Sequence, residues 1–449
     1  MIDPTPHLER FDSYERACQE FRWRIPEMFN IASAISNRHE DAVTRVAVSE
    51  LMPGGINTYT FGGINFLSDK FASSLARRGV SEGDAVAIIL PQSAAFLVAQ
   101  FGALKLGAVV VPVSPHFPPS ASRLALEECR ARAVVASRDA LDQLGGAVAP
   151  ELTFVVGASG PPDHSAGGQK DFWREVNYSS SDFTPVVTSR DSPAFTFFHS
   201  DPEGSLTGVV HAHRSLIGQL AAFEMFAGFS CGGESAFWAA ADWATPEVLL
   251  GIINPALWYG RPVVARAGMG FDGGEFFDMV EHSGASGVFV PSHELFRLKQ
   301  ATGDARAKHD LKLRSILTTP GAFTQELYDW AAVSLGATLN VVYGAPETGI
   351  VSTNCEQWFA SIMGAAGRPS PGHSIEIVDE GGNALPEGRT GRLALSRSDP
   401  GMFLGYSNDN DSEKATSRLA GGRFVTRDVG YKKGDGDLFL SPSSNEFRG

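Results

Sequence analysis

Two doubly wound α/β subdomains followed by a small antiparallel β-barrel form the architecture that this sequence predicts. Between residues 43 and 136 short apolar runs alternate with helical patterns, the mark of a parallel sheet with helices on both faces. The same rhythm returns between Pro193 and about Cys355. From Gly364 to about Leu440 it gives way to brief β runs split by Gly, Pro and Asp, as in a small barrel. The expected divisions are residues 1–190, 191–360 and 361–449.

In the first unit, residues 64–79 have the spacing of an amphipathic helix that stops at Arg77-Arg78-Gly79. Residues 84–90 are an apolar run ended by Pro91, which suits a short buried strand. A second helix is expected over 93–106, closed by Gly107, and a strand over 108–113. Residues 124–129 predict a helix and 133–136 a strand. The Gly- and Pro-rich stretch 145–168 is weakly patterned and is expected to lie on the surface. Second-unit strands are expected near 194–198, 262–265, 287–290, 315–317 and 339–342. Barrel strands are expected near 374–378, 391–395, 422–426 and 437–440.

A chain of 449 residues is too long for one core, so several subdomains are expected. Its 43% hydrophobic and 20% charged residues are ordinary for a globular enzyme. The 37 basic and 51 acidic residues give a net charge of −14, which argues against a broad surface for nucleic acid or anionic membrane. Cys18, Cys129, Cys231 and Cys355 have no paired metal spacing and suit a reducing, cytoplasmic setting. Met1-Ile2-Asp3-Pro4 lacks the basic and apolar pattern of a signal segment, and no run is long enough to span a bilayer. The expected partner is therefore a small molecule, with neither nucleic acid nor membrane.

Phe195 to Arg214 begins as an apolar strand, breaks into Ser200-Asp201-Pro202-Glu203-Gly204-Ser205, and closes on a basic helix start. Five more segments follow: Ala241-Asp242-Trp243, then Thr318-Thr319-Pro320-Gly321-Ala322, Tyr343-Gly344-Ala345-Pro346-Glu347, Gly367 to Gly372, and Gly421 to Tyr431. Together, in this order, they resemble the motifs of the adenylate-forming (AMP-binding) superfamily, and most closely its aryl- and medium-chain acyl-CoA synthetases. The resemblance implies the large N-terminal domain of that fold. It also implies a carboxylic acid or acyl thioester as partner, with ATP or AMP, Mg²⁺ and CoA as cofactors.

By the same resemblance, Glu347 would bind Mg²⁺ and act in catalysis with the residue at position 207. Ser200 and Gly204 would lie along the phosphates. Gly321, Ala322, Tyr343 and Gly344 would line the nucleoside, and Asp428 would hold the ribose. Trp238, Asp242, Trp243 and Ala345 would line the acyl pocket, joined by Phe223, Phe226 and Phe237. An aromatic core patch is the competing reading for Phe237 and Trp238. His199, His211 and His213 border the loop. Zinc or general-base chemistry is open to such a group, but a structural helix start is favoured.

Several positions depart from the family pattern. Thr207 stands where the loop carries lysine, Pro202 and Pro346 stand for threonines, and Arg427 stands for glycine. Pro202 removes a backbone N–H, and Asp201 and Glu203 repel phosphate. One lost lysine contact costs on the order of 3–4 kcal/mol in the transition state. At the C-terminus, Pro442-Ser443 and Asn445-Glu446 stand where the family's hinge pairs would stand. The expectation is a degenerate phosphate loop, a truncated hinge and a missing lid domain. Three functions stay open: a synthetase with weak adenylation, a descendant acting on an acyl group without ATP, or a partner of an active synthetase.

Overall fold

The computed structural model describes residues 3–52, 54–145, 152–157, 169–200, 206–229, 231, 236–268, 273–301, 305–321, 323–408 and 419–441. The proposed hinge at 442–446 lies outside them.

The central strand Ala85–Ile89 shows how the layers arise. It is an apolar run paired in parallel with Val109–Pro112 on one side and Ala133–Ser137 on the other. Because side chains alternate along a strand, Val86 and Ile88 face one core cluster while Ala87 and Ile89 face another. The first of these clusters also takes Val48, Phe237, Val263 and Ala265 from a second sheet. Two helices between the sheets, Ala94–Lys105 and Ser215–Phe226, are therefore buried on every residue, as helices apolar all round must be. Ser93 starts the first of them by accepting from the Phe96 N–H at 3.2 Å.

Among the described residues there are two large mixed sheets, of eight and nine strands, and an antiparallel sheet of five. The expected helices and strands of the first unit are present. The helix expected at 124–129 starts earlier, as Pro119–Glu128, since proline is well suited to a first turn. The stretch 145–168 is not wholly superficial. It contributes the strand Thr153–Val156, which pairs with Ala133–Ser137 and buries Phe154 and Val155.

The sheets do not divide where the sequence rhythm changes. Pro193–Ser200, expected among the second-unit strands, pairs with Val109–Pro112 of the eight-stranded sheet. Conversely, Val46–Met52 pairs in parallel with Val263–Arg266 of the nine-stranded sheet. Apolar periodicity fixes that a strand exists and which face is buried, but not its distant edge partner. The last third also laces into both large sheets. Arg368–Pro369 pairs with Gly349–Thr353, and Gly405–Tyr406 pairs with Leu206–Ala212.

Candidate active site

The strand Thr338–Ala345 turns at 346–348 and returns as Gly349–Thr353. Two glycines make this hairpin possible. Gly349 has φ +65°, and a Cβ there would meet the Gln219 side chain at 2.5 Å. A Cβ on Gly344 would lie 2.1 Å from the Gly349 carbonyl oxygen. The buried Gln219 amide clamps the turn, donating to the Thr348 carbonyl at 3.2 Å and accepting from the Ile350 N–H at 2.7 Å. Ala345 is buried and its N–H donates to Thr348 Oγ1 at 3.1 Å.

Glu347 sits at the tip of the hairpin and is only 6% exposed. The Tyr406 hydroxyl donates to Glu347 Oε1 at 2.7 Å, and the Phe403 N–H donates to the Glu347 carbonyl at 2.8 Å. The neighbouring Pro346 carbonyl accepts from His211 Nε2 at 2.7 Å. That bond puts the imidazole proton on Nε2. Burial pushes the His211 pKa down to about 4, and burial likewise holds His213 at about 4, so both are neutral near pH 7. His213 Nδ1 accepts from the Ile31 N–H at 3.2 Å. Both histidines belong to the framework.

A second polar contact lies on the same strand. Tyr343, wholly buried, donates its hydroxyl to Asp428 Oδ2 at 2.9 Å. Asp428 is half-buried on the long strand Arg423–Lys433, and its N–H donates to Thr426 Oγ1 at 3.2 Å. Two nucleoside candidates thus touch, although 85 residues separate them.

The phosphate-loop candidates are placed differently from the expected loop-to-helix turn. Thr207 is a buried strand residue opposite His199, and Ser200 lies exposed opposite Leu206. The strand Leu206–Ala212 intervenes before the helix Ser215–Phe226. Its alternation of Thr207, Val209 and His211 with small Gly208 and Ala212 marked it only weakly. Gly204, Pro202 and Glu203 lie outside the described residues, as does Ala322. Gly321 is half-buried after the strand Ser315–Thr318, with Ser292 and Phe323 close against it.

The aromatic candidates do not share one pocket. Phe237 faces the core between the large sheets, against Phe223 at 5.0 Å between ring centres. Trp238, one residue on, faces the opposite cluster and packs against Phe276 at 5.2 Å. Trp243 is wholly buried in the first cluster, edge-on to Phe96 at 5.5 Å. Trp238 and Trp243 thus lie in different core clusters, and the alternation along Ala236–Ala239 turns Trp238 away from the cluster that holds Phe237 and Trp243. Asp242 Oδ1 accepts from the Ala244 N–H at 2.9 Å, which makes it a turn residue.

Sequence reasoning missed Gln219 and Tyr406. Gln219 is one of the few polar members of a mostly apolar helix run, which was a usable signal. Tyr406 stands on a two-residue strand and no periodicity marks it.

Among the described residues, no helix is long and apolar enough to cross a membrane. The family described as AMP-binding enzyme matches residues 35–407. The acetyl-coenzyme A synthetase of Bacillus subtilis (strain 168) is 28% identical over 388 residues, which is 84% of this chain and 66% of the relative. The chain thus spans about two thirds of that relative's length. The crystal structure of Brucella canis acyl-CoA synthetase superposes with a TM-score of 0.85 at 23% identity, covering 96% of this chain and 79% of that one. An anthranilate CoA ligase in complex with anthranoyl-AMP gives 0.81 at 20% identity, over 93% and 78%. These two likenesses show the fold.

Proposed function

The chain belongs to the AMP-binding enzyme family as an acyl-CoA synthetase-like member, and we propose that it binds a carboxylic acid, or its adenylate or thioester, while forming the adenylate slowly or not at all. The observation that carries this reading is Thr207, a buried, neutral strand residue at the position where the family's loop carries lysine. A hydroxyl can donate one hydrogen bond but brings no charge to a triphosphate. The loss, on the order of 3–4 kcal/mol, is a factor of roughly 10²–10³ in rate.

The donor chemistry fits a nucleoside better than a metal-bound triphosphate. Asp428 is the acceptor that a ribose diol needs, and Tyr343 holds that carboxylate by its hydroxyl. Glu347 supplies the hard oxygen that Mg²⁺ prefers, and Tyr406 orients it. ATP with Mg²⁺, when bound, supplies the phosphoryl centre that a carboxylate attacks. The chain's own contribution is to fix Glu347 and Asp428 and to keep His211 uncharged beside Glu347.

ATP–pyrophosphate exchange over a panel of aryl and aliphatic acids tests the reading. The expected result is exchange far below about 1 per second, the low end of common enzyme turnover. Exchange at ordinary enzyme rates with any acid in the panel would overturn it. Thermal unfolding with an acid, with AMP and with ATP·Mg²⁺ then separates the two halves of the site, because a ligand of the native state raises the midpoint. AMP is expected to raise it more than ATP·Mg²⁺.

A further inference from the structure

We propose that Asp278, Glu281 and His309 form a binding site for one divalent transition-metal ion of the zinc type, apart from the candidate active site. Asp278 and Glu281 are three residues apart on the helix Gly273–Ser283, so they share one face. His309 comes from the turn that follows Ala305, where its N–H donates to the Ala305 carbonyl at 3.0 Å. The next N–H, of Asp310, donates to Glu281 Oε1 at 3.0 Å and pins that turn to the helix. The Phe277 ring lies 5.8 Å from the imidazole, and the His309 side chain is only 15% exposed. The imidazole is therefore held in place before any ion arrives.

His309 Nδ1 lies 3.4 Å from Asp278 Oδ1 and 3.2 Å from Glu281 Oε2. One nitrogen and two carboxylate oxygens, each from a different residue, all lie within 4.8 Å of one another. Zinc binds imidazole nitrogen and carboxylate oxygen at about 2.0–2.2 Å in a tetrahedron. That geometry sets neighbouring donor atoms roughly 3.3–3.5 Å apart. Two of the three edges, at 3.4 and 3.2 Å, are already close to this length, and the exposed Asp278 side chain can close the third. Without an ion, the imidazole hydrogen-bonds with Glu281 Oε2 at 3.2 Å. With an ion bound, Nδ1 offers its lone pair as the ligand and the ring proton sits on Nε2. Two carboxylate charges then balance one divalent ion, and a water completes the tetrahedron. Imidazole with carboxylates favours such borderline ions over soft, thiolate-seeking Cu(I).

Titration calorimetry of Zn²⁺ into the whole chain, after chelator treatment, decides the matter. One ion per chain is expected, with binding at least about tenfold weaker in His309→Ala and in Glu281→Gln. Co²⁺ gives a second readout: the strong visible absorption of a four-coordinate ion in the wild type, lost in Glu281→Gln. That variant keeps the size and hydrogen-bonding shape of the side chain, and circular dichroism confirms that it folds. No Zn²⁺ binding by the wild type, or wild-type affinity retained in both variants, would overturn the proposal. In the latter case the triad is only an ion pair that fastens the turn to the helix.

Discussion

Around Glu347 the polar side chains meet one another, whereas around Trp243 the aromatic side chains meet only the core. Glu347 meets Tyr406, Asp428 meets Tyr343, and Gln219 closes the hairpin between them. Trp243 meets Phe96, and Trp238 faces away into a different cluster. The two regions adjoin through the helix Ser215–Phe226, which carries Gln219 on one turn and Phe223 on the next. The difference teaches that an aromatic residue inside a motif is not thereby a ligand contact. A buried polar group must find a partner, so polar motif residues report on the site, while aromatic ones report equally well on packing.

The largest expected effect would break this comparison if it failed. Trp243→Ala should destabilise the fold by about 3–5 kcal/mol, the range for large buried side chains. Urea unfolding measures it. A variant of unchanged stability with weakened aryl-acid binding would make Trp243 a pocket residue after all.

The core half of the fold was legible because its signals are local and redundant. The helix at 94–105 has a capping serine, an apolar run and a closing glycine. The pairings of Val46–Met52 and Pro193–Ser200 were not legible, because a strand's edge partner depends on closing a chain of many residues. At the candidate site, motif resemblance singled out Tyr343, Glu347 and Asp428, and the structure brings Tyr343 and Asp428 into contact. Tyr406 was not found. Its position is set by the pairing Tyr406↔Val209 across nearly two hundred residues of sequence. For Trp238 the sequence left a pocket and an aromatic core patch both open, and its offset of one from Phe237 sets it on the opposite strand face.

Next in size is a buried ion pair on the polar side. His373 Nδ1 lies 2.5 Å from Asp399 Oδ2, and its Nε2 lies 2.9 Å from the Gly218 carbonyl. Burial opposes charging of the imidazole, but the Asp399 carboxylate and both hydrogen bonds outweigh it, so the His373 pKa is raised. Asp399→Asn should cost about 3–5 kcal/mol, as for a broken buried pair. A raised folded-state pKa means that the stabilisation is fully present below the unfolded histidine value, about 6.5. It is lost as pH rises through the folded-state value. The stability gap between wild type and variant should therefore be widest near pH 5.5 and narrow on the alkaline side. A gap that widens with pH would show that His373 is neutral.

The two tyrosines sharpen the polar half further. Tyr406→Phe removes a hydrogen bond to a carboxylate that is 6% exposed, which should cost about 1.5–3 kcal/mol. Tyr343→Phe removes one to the half-buried Asp428 and should cost less, about 1 kcal/mol. Chemical denaturation gives both values. If Asp428 takes a nucleoside, Tyr343→Phe should also change the AMP-induced rise in unfolding midpoint, while Tyr406→Phe should leave that rise nearly intact. An equal effect of both on AMP would mean that the two contacts belong to a single unit.

Thr207 should give the smallest effect, and it tests the weaker side of the site. Its backbone pairs with His199 in the hairpin Pro193–Ser200 and Leu206–Ala212, and those ladder bonds survive substitution. Thr207→Ala loses one buried methyl and some strand preference, together about 1 kcal/mol at most. Because the hydroxyl has no charge to lose, binding of ATP·Mg²⁺ should change less than about threefold, under roughly 0.7 kcal/mol. Calorimetry with wild type and variant checks this directly. A loss of tenfold or more would mean that the hydroxyl takes part in holding phosphate, in the manner of a phosphate-loop Ser or Thr. The phosphate side would then be adapted rather than lost, and slow adenylation would need another cause.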